Sequence, residues 1–157
     1  MKNISYKNVL LETAVVAIAC DGDIDDREIQ ALKNIEKDSP YFSSEDLSKF
    51  LDSALKKAIS NIDEFKKSVL NKIKSQNFNL VEQLTLVEIS LRIISADEVV
   101  VDAEKQFMIE LRKCLPVSDL ILYQRFGQIE YLGILDFEKN FVDFKKPDDL
   151  KDQAELK

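Results

Sequence analysis

The chain carries one segment twice. Sliding the sequence against itself by 76 residues lays LLETAVVAIACDGDIDDREIQALKNI over LVEISLRIISADEVVVDAEKQFMIEL. Glu12 falls on Glu88, Asp21 on Asp97, Asp26 on Asp102 and Glu28 on Glu104. The apolar positions follow the same register, Ile24 with Val100, Leu32 with Met108 and Ile35 with Leu111. Each copy is a single supersecondary unit that cannot bury its apolar face alone, so a duplication of this kind predicts two units packed on one another. Both copies read as helix, tight acidic turn, helix. The expectation is an all-α, pseudo-two-fold bundle of two helix-turn-helix repeats.

Periodicity supplies the elements. Val9, Leu10, Thr13, Val16, Ala17 and Cys20 recur at steps of three and four, which predicts a helix from about Ser5 to Cys20, stopped by Asp21-Gly22. Asp25 and Glu28 in capping-box spacing open a second helix with Ile29, Leu32 and Ile35 inward, ended by Ser39-Pro40. Ser43 with Asp46, Asn61 with Glu64, and Asn79 with Glu82 open the third, fourth and fifth; a sixth starts near Asp102 and stops before Pro116, and a seventh starts at Ser118. About seven helices with short loops result. Only 3 Gly and 3 Pro in 157 residues leave few turn residues for a many-stranded sheet, in agreement.

This length suits one buried core. We expect a helical domain over residues 1–132 and a C-terminal extension over 133–157, whose Phe137, Phe141 and Phe144 face either docks on the body or anchors in a partner's groove, and whose last dozen or so residues are mobile. The N-terminal apolar run is broken by Glu12 and lacks a cleavage pattern, so neither a signal peptide nor a membrane span is expected. Cys20 and Cys114 have no CxxC spacing and no histidine to complete a zinc site, which points to reduced core thiols in the cytoplasm.

The turn sequence ACDGDIDDREI resembles the hallmark of the tellurite-resistance protein TerB family, which is related to a domain of certain J-domain co-chaperones. That hallmark is a small residue, Asp-Gly, a turn bearing a hydrophobic residue, and Glu seven positions after the Asp, occurring twice. The first copy matches at Ala19, Asp21, Gly22, Ile24 and Glu28; the second keeps Ala96, Asp97, Val100 and Glu104, with Glu98 in place of glycine. The resemblance covers roughly Leu10 to Leu115. It implies a seven-helix fold, divalent-cation binding, and work beside membrane-associated and phosphorylation-linked protein partners in bacterial stress or tellurite-resistance systems.

Two readings of the turns stand side by side. In one, Asp21, Asp23, Asp25, Asp26 and Glu28, and more weakly Asp97, Glu98, Asp102 and Glu104, supply oxygens to Ca²⁺ or another hard divalent cation. An EF-hand is excluded, because its sixth position is Asp26 instead of glycine and its twelfth is Leu32 instead of a carboxylate. In the other, the carboxylates cap the second helix of each hairpin and complement its dipole. Glu12 and Glu88 lie about 13 Å along the axis from their own turns at 1.5 Å per residue; they read either as buried carboxylates accepting hydrogen bonds from the facing hairpin or as groups that approach the opposite turn across the pseudo-two-fold.

Charge narrows the function classes. A net charge of -7 argues against nucleic acid as a partner. From Leu47 to Gln76, however, seven lysines stand against three acids, a local excess of +4. The chain has no histidine, no phosphate loop and no nucleophile motif, so no enzyme is expected. The primary expectation is a cation-binding and protein-interaction module in a bacterial cytoplasm. The alternative is a purely structural interaction domain whose lysine-rich middle contacts an anionic partner or membrane surface.

Overall fold

A computed structural model describes residues 6–38, 44–96 and 99–132. Every regular element among them is helical: α1 Tyr6–Ala19, α2 Asp26–Asp38, α3 Ser44–Ser60, α4 Ile62–Ser75, α5 Leu80–Ile94, α6 Asp102–Lys113, α7 Asp119–Phe126, then a 3₁₀ turn Glu130–Leu132. The all-α class and the seven helices agree with the periodicity. Backbone contacts divide the chain into two compact units at Pro116/Val117. The Phe137, Phe141 and Phe144 face lies outside the described residues.

The first unit is built around α1, which packs against α2, α3, α4 and α5. Ten of its fourteen residues are buried, including all of Thr13–Ala19. The periodic stripe read from sequence predicts one apolar face. The helix is instead apolar nearly all round, as a helix enclosed by neighbours must be. Val15, Ile18 and Ala19, which stand off the stripe, are fully buried. Thr13 is accommodated because its hydroxyl donates to the Val9 carbonyl at 2.7 Å.

α2 packs across onto α5 of the other copy, and α6 packs on α5. The starts of the two repeats meet directly. The Tyr6 hydroxyl donates to the Glu82 carbonyl at 2.7 Å, and the Tyr6 ring stands edge-on to Phe78 at 5.2 Å. Tyr6 and Glu82 are equivalent positions at the 76-residue offset. That contact brings the starts of α1 and α5 together. Ser90, the counterpart of Ala14, is fully buried, and its hydroxyl has no hydrogen-bond partner among the described residues, so that site favours a small side chain at the cost of one unsatisfied polar group.

Local chemistry sets the helix ends. Asn61 accepts the Glu64 N–H at the start of α4, and Asn79 and Glu82 form a complete capping box at α5. Ser118 accepts the Ile121 N–H at α7 in the second unit, and Gly127 ends that helix at φ +82°. Leu122 and Leu132 are buried there, and the Arg125 guanidinium lies 5.0 Å from the Phe126 ring centroid.

Candidate functional site

The first acidic turn opens where Gly22 adopts φ +87° and its N–H bonds the Ala19 carbonyl at 2.9 Å. A β-carbon is disfavoured in that left-handed conformation, which explains glycine after Asp21. The Asp21 carboxylate accepts the Asp23 N–H at 3.0 Å and closes the turn on itself. Asp25 is the N-cap of α2: its carboxylate accepts the Arg27 N–H at 2.7 Å and its carbonyl accepts from Glu28 and Ile29. The Arg27 guanidinium also reaches Asp25 through Nε at 3.2 Å and a terminal nitrogen at 3.1 Å. These hydrogen bonds from Arg27 hold the Asp25 carboxyl below its ordinary range.

Glu28 points inward and is 2% exposed; its counterpart Glu104 is 1% exposed. Glu104 accepts the Val101 N–H at 3.1 Å, half of a capping box whose other half valine cannot supply. Glu104 thus braces the start of α6 from inside, and Glu28 is buried at the equivalent place on α2. Asp21, Asp23, Asp26 and Asp102 are exposed, and Asp97 and Glu98 lie outside the described residues. The predicted ligand residues are therefore divided among a closed turn, a cap, two buried glutamates and open surface. Among the described residues no three metal-ligating side chains come together.

Both buried glutamates and Asp21 act electrostatically on Cys20 at the end of the α1 segment. Burial, followed by the negative charges of Glu104, Asp21 and Glu28 and offset in part by Lys66, pushes the Cys20 thiol up to about 12. Burial also raises the Cys114 thiol. Neither thiol is an activated nucleophile.

Comparison with protein-family models, with curated proteins and with solved structures finds no match to this chain.

Side chains that composition only hinted at carry more geometry. The lysines of α3 and α4 separate onto different sides of the helix pair. Lys66 pairs with Glu110 of α6 at 2.9 Å. Burial would raise the Glu110 carboxyl, but hydrogen bonds from Lys66 and Gln106 outweigh it and hold that group below the usual range. Lys72 places its ammonium 2.9 and 3.1 Å from the two oxygens of Glu12 on α1. Glu12 is thus paired with the linking helix α4 and not with the facing hairpin or its turn, and it is part-buried. Mid-helix Glu88 is half-buried.

Two adjoining clefts flank this pair. One, of about 390 Å³, is lined by Lys57 and Ser60 of α3, by Glu12, and by Glu64, Phe65, Ser68, Val69 and Lys72 of α4 together with the capping Asn61. The other, of about 560 Å³, shares Glu64, Ser68 and Lys72 and adds Lys67, Asn71 and Ser75. Lys57 and Lys67 have no carboxylate within ion-pair distance among the described residues. The charge excess was visible in the sequence. The clefts were not, because they depend on how α4 lies against α1 and α3.

Proposed function

We propose that this chain is a non-enzymatic, TerB-like interaction module whose working surface is the basic side of α3 and α4, which receives an anionic partner. One observation carries the reading: Lys57, Lys67 and Lys72 line two adjoining clefts, and among the described residues the first two have no carboxylate within ion-pair distance, although Glu64 shares both linings. Unpaired cations beside a recess steer and hold negative groups. The chain is strongly acidic in total, so this local reversal of sign is what discriminates among partners. A setting in the bacterial cytoplasm, beside stress-response and membrane-associated partners, follows from the family resemblance. No helix among the described residues is long and apolar enough to cross a membrane.

The test is binding of a soluble polyanion across a range of ionic strength. Affinity should fall steeply with salt and need no divalent ion. Binding that ignores salt, or requires a cation, contradicts the reading.

A second reading assigns a cation to the first acidic turn. It rests on the family resemblance and on the nearness in sequence of Asp21, Asp23 and Asp26, which are exposed but do not come together as a group of three. Calorimetric titration of Ca²⁺, Mg²⁺ and Mn²⁺ into chelator-treated protein should then give weak, saturable heat that disappears in an Asp21→Asn/Asp26→Asn variant. Flat titrations with all three ions remove this reading. Glu28 is unsuited as the control, because it is a buried side chain whose substitution disturbs the packing of α2.

A further inference from the structure

We infer that the two clefts along α4 form one groove for an extended peptide segment bearing spaced carboxylates. The inference rests on the proposed anionic-partner reading and names the class of partner. The lining residues of α4 and its cap, Asn61, Glu64, Ser68, Asn71, Lys72 and Ser75, recur at each helical turn and belong to one or both recesses. From 61 to 75 the helix rises about 21 Å at 1.5 Å per residue, the reach of about six residues of extended chain at about 3.4 Å each.

The chemistry of the lining selects among anions. Two glutamates, Glu12 and Glu64, stand among the three lysines, so a dense polyphosphate meets repulsion as well as attraction. A peptide whose carboxylates are separated can place them at the lysines and pass the glutamates with backbone. Small hydroxyl and amide side chains, Ser60, Asn61, Ser68, Asn71 and Ser75, lie between the charges and suit peptide carbonyls and N–H groups. Phe65 and Val69 lie beneath the first recess and are almost wholly buried, so recognition there falls to the polar side chains.

Lys72 is held for this role by Glu12. An ammonium has three N–H donors, and a single carboxylate does not use all of them, so Lys72 keeps donor capacity for the clefts it lines. A membrane surface fits less well. None of the large exposed apolar side chains, such as Ile59, Leu80 and Val81, lines either cleft to insert beside the lysines.

The experiment is fluorescence anisotropy with a fluorescein-labelled peptide of about eight residues alternating glutamate and glycine. It is paired with co-sedimentation on phosphatidylserine/phosphatidylcholine vesicles, using the full chain. Three variants divide the outcomes. Lys57→Ala removes a cleft charge, Lys56→Ala removes an equally exposed charge that lines neither cleft, and Ser68→Leu fills the shared centre of the groove without changing charge. Ser68 is exposed, so its substitution leaves the core alone.

The expected result is peptide binding weakened about fivefold by Lys57→Ala, a modest figure for one charge-assisted contact in a half-open site, and at least as much by Ser68→Leu, with Lys56→Ala near wild type. Equal losses for Lys56→Ala and Lys57→Ala with no effect of Ser68→Leu would mean diffuse attraction; the groove is then overturned while the basic-surface reading survives. Vesicle binding without peptide binding replaces the peptide by a membrane and also overturns the groove. Absence of both overturns the groove and the proposed function together.

Discussion

A chain carrying Lys57→Glu and Lys67→Glu is expected to bind a polyanion about a hundredfold more weakly than wild type at low salt. The magnitude follows from charge reversal at contact distance. Two unit charges 4 Å apart interact with about 1 kcal/mol in a water-like dielectric, and reversal replaces an attraction by a repulsion of similar size. Screening trims the sum to about 1.4 kcal/mol per site, which is tenfold each. Neither lysine has an ion-pair partner among the described residues, so the fold has little to lose. Circular dichroism should show unchanged helix content beside the lost anisotropy signal. The variant should also lose most of the salt dependence, since the charges that produce it are gone. A double variant with wild-type affinity would show that Lys57 and Lys67 take no part.

In the folded protein Cys20 should react with a small disulfide reagent at pH 8 at least about fiftyfold more slowly than in the denatured chain. A rise from 9.0 to about 12 reduces the thiolate fraction at pH 8 by about a thousandfold. The more basic thiolate is the better nucleophile and returns about twentyfold at a Brønsted slope near 0.45, which leaves the net figure before any steric shielding. A Cys114→Ser background isolates the site. Burial is the largest cause of the shift, and Glu104 supplies the largest single charge. Glu104→Gln should therefore quicken the reaction while its amide oxygen still accepts the Val101 N–H and preserves the start of α6. The sign for stability runs the same way. Because the folded thiol titrates above the unfolded one, its contribution is complete below pH 9.0 and is lost as pH rises toward about 12. Fast reaction of Cys20 in folded protein would place that thiol outside the acidic, buried setting described above.

Helices were legible in the sequence because capping chemistry and apolar period agree. Asn61, Asn79 and Ser118 each stand where a cap was read, and each accepts the N–H three residues on. The enclosure of α1 was less legible, since Val15, Ile18 and Ala19 fall off the stripe and only the presence of α2, α3, α4 and α5 explains their burial. The turn residues were legible as a set and not as individuals. Period alone does not tell that Glu28 and Glu104 turn inward while Asp26 and Asp102 face solvent. Spacing does show Asp25 as a cap, and its further hold on the Arg27 guanidinium came only with the side chains in place. The clefts were hidden for a similar reason. Glu12 and Lys72 are 60 residues apart, and nothing local joins them. Lys66 and Lys67 adjoin in sequence, yet one meets Glu110 and the other lines a cleft, because neighbours on a helix point about 100° apart.

The most direct measurement is a ¹⁵N-resolved NMR titration of the full chain with the glutamate–glycine peptide at low salt, repeated with Ca²⁺. The account predicts peptide-dependent shifts concentrated at Lys57, Ser60, Glu64, Lys67, Ser68 and Asn71, with the amides of Asp21 to Glu28 unmoved. Peptide shifts spread evenly over the surface, or shifts confined to the Asp21–Glu28 turn on addition of Ca²⁺ with none from the peptide, would contradict it and move the function to the acidic hairpin.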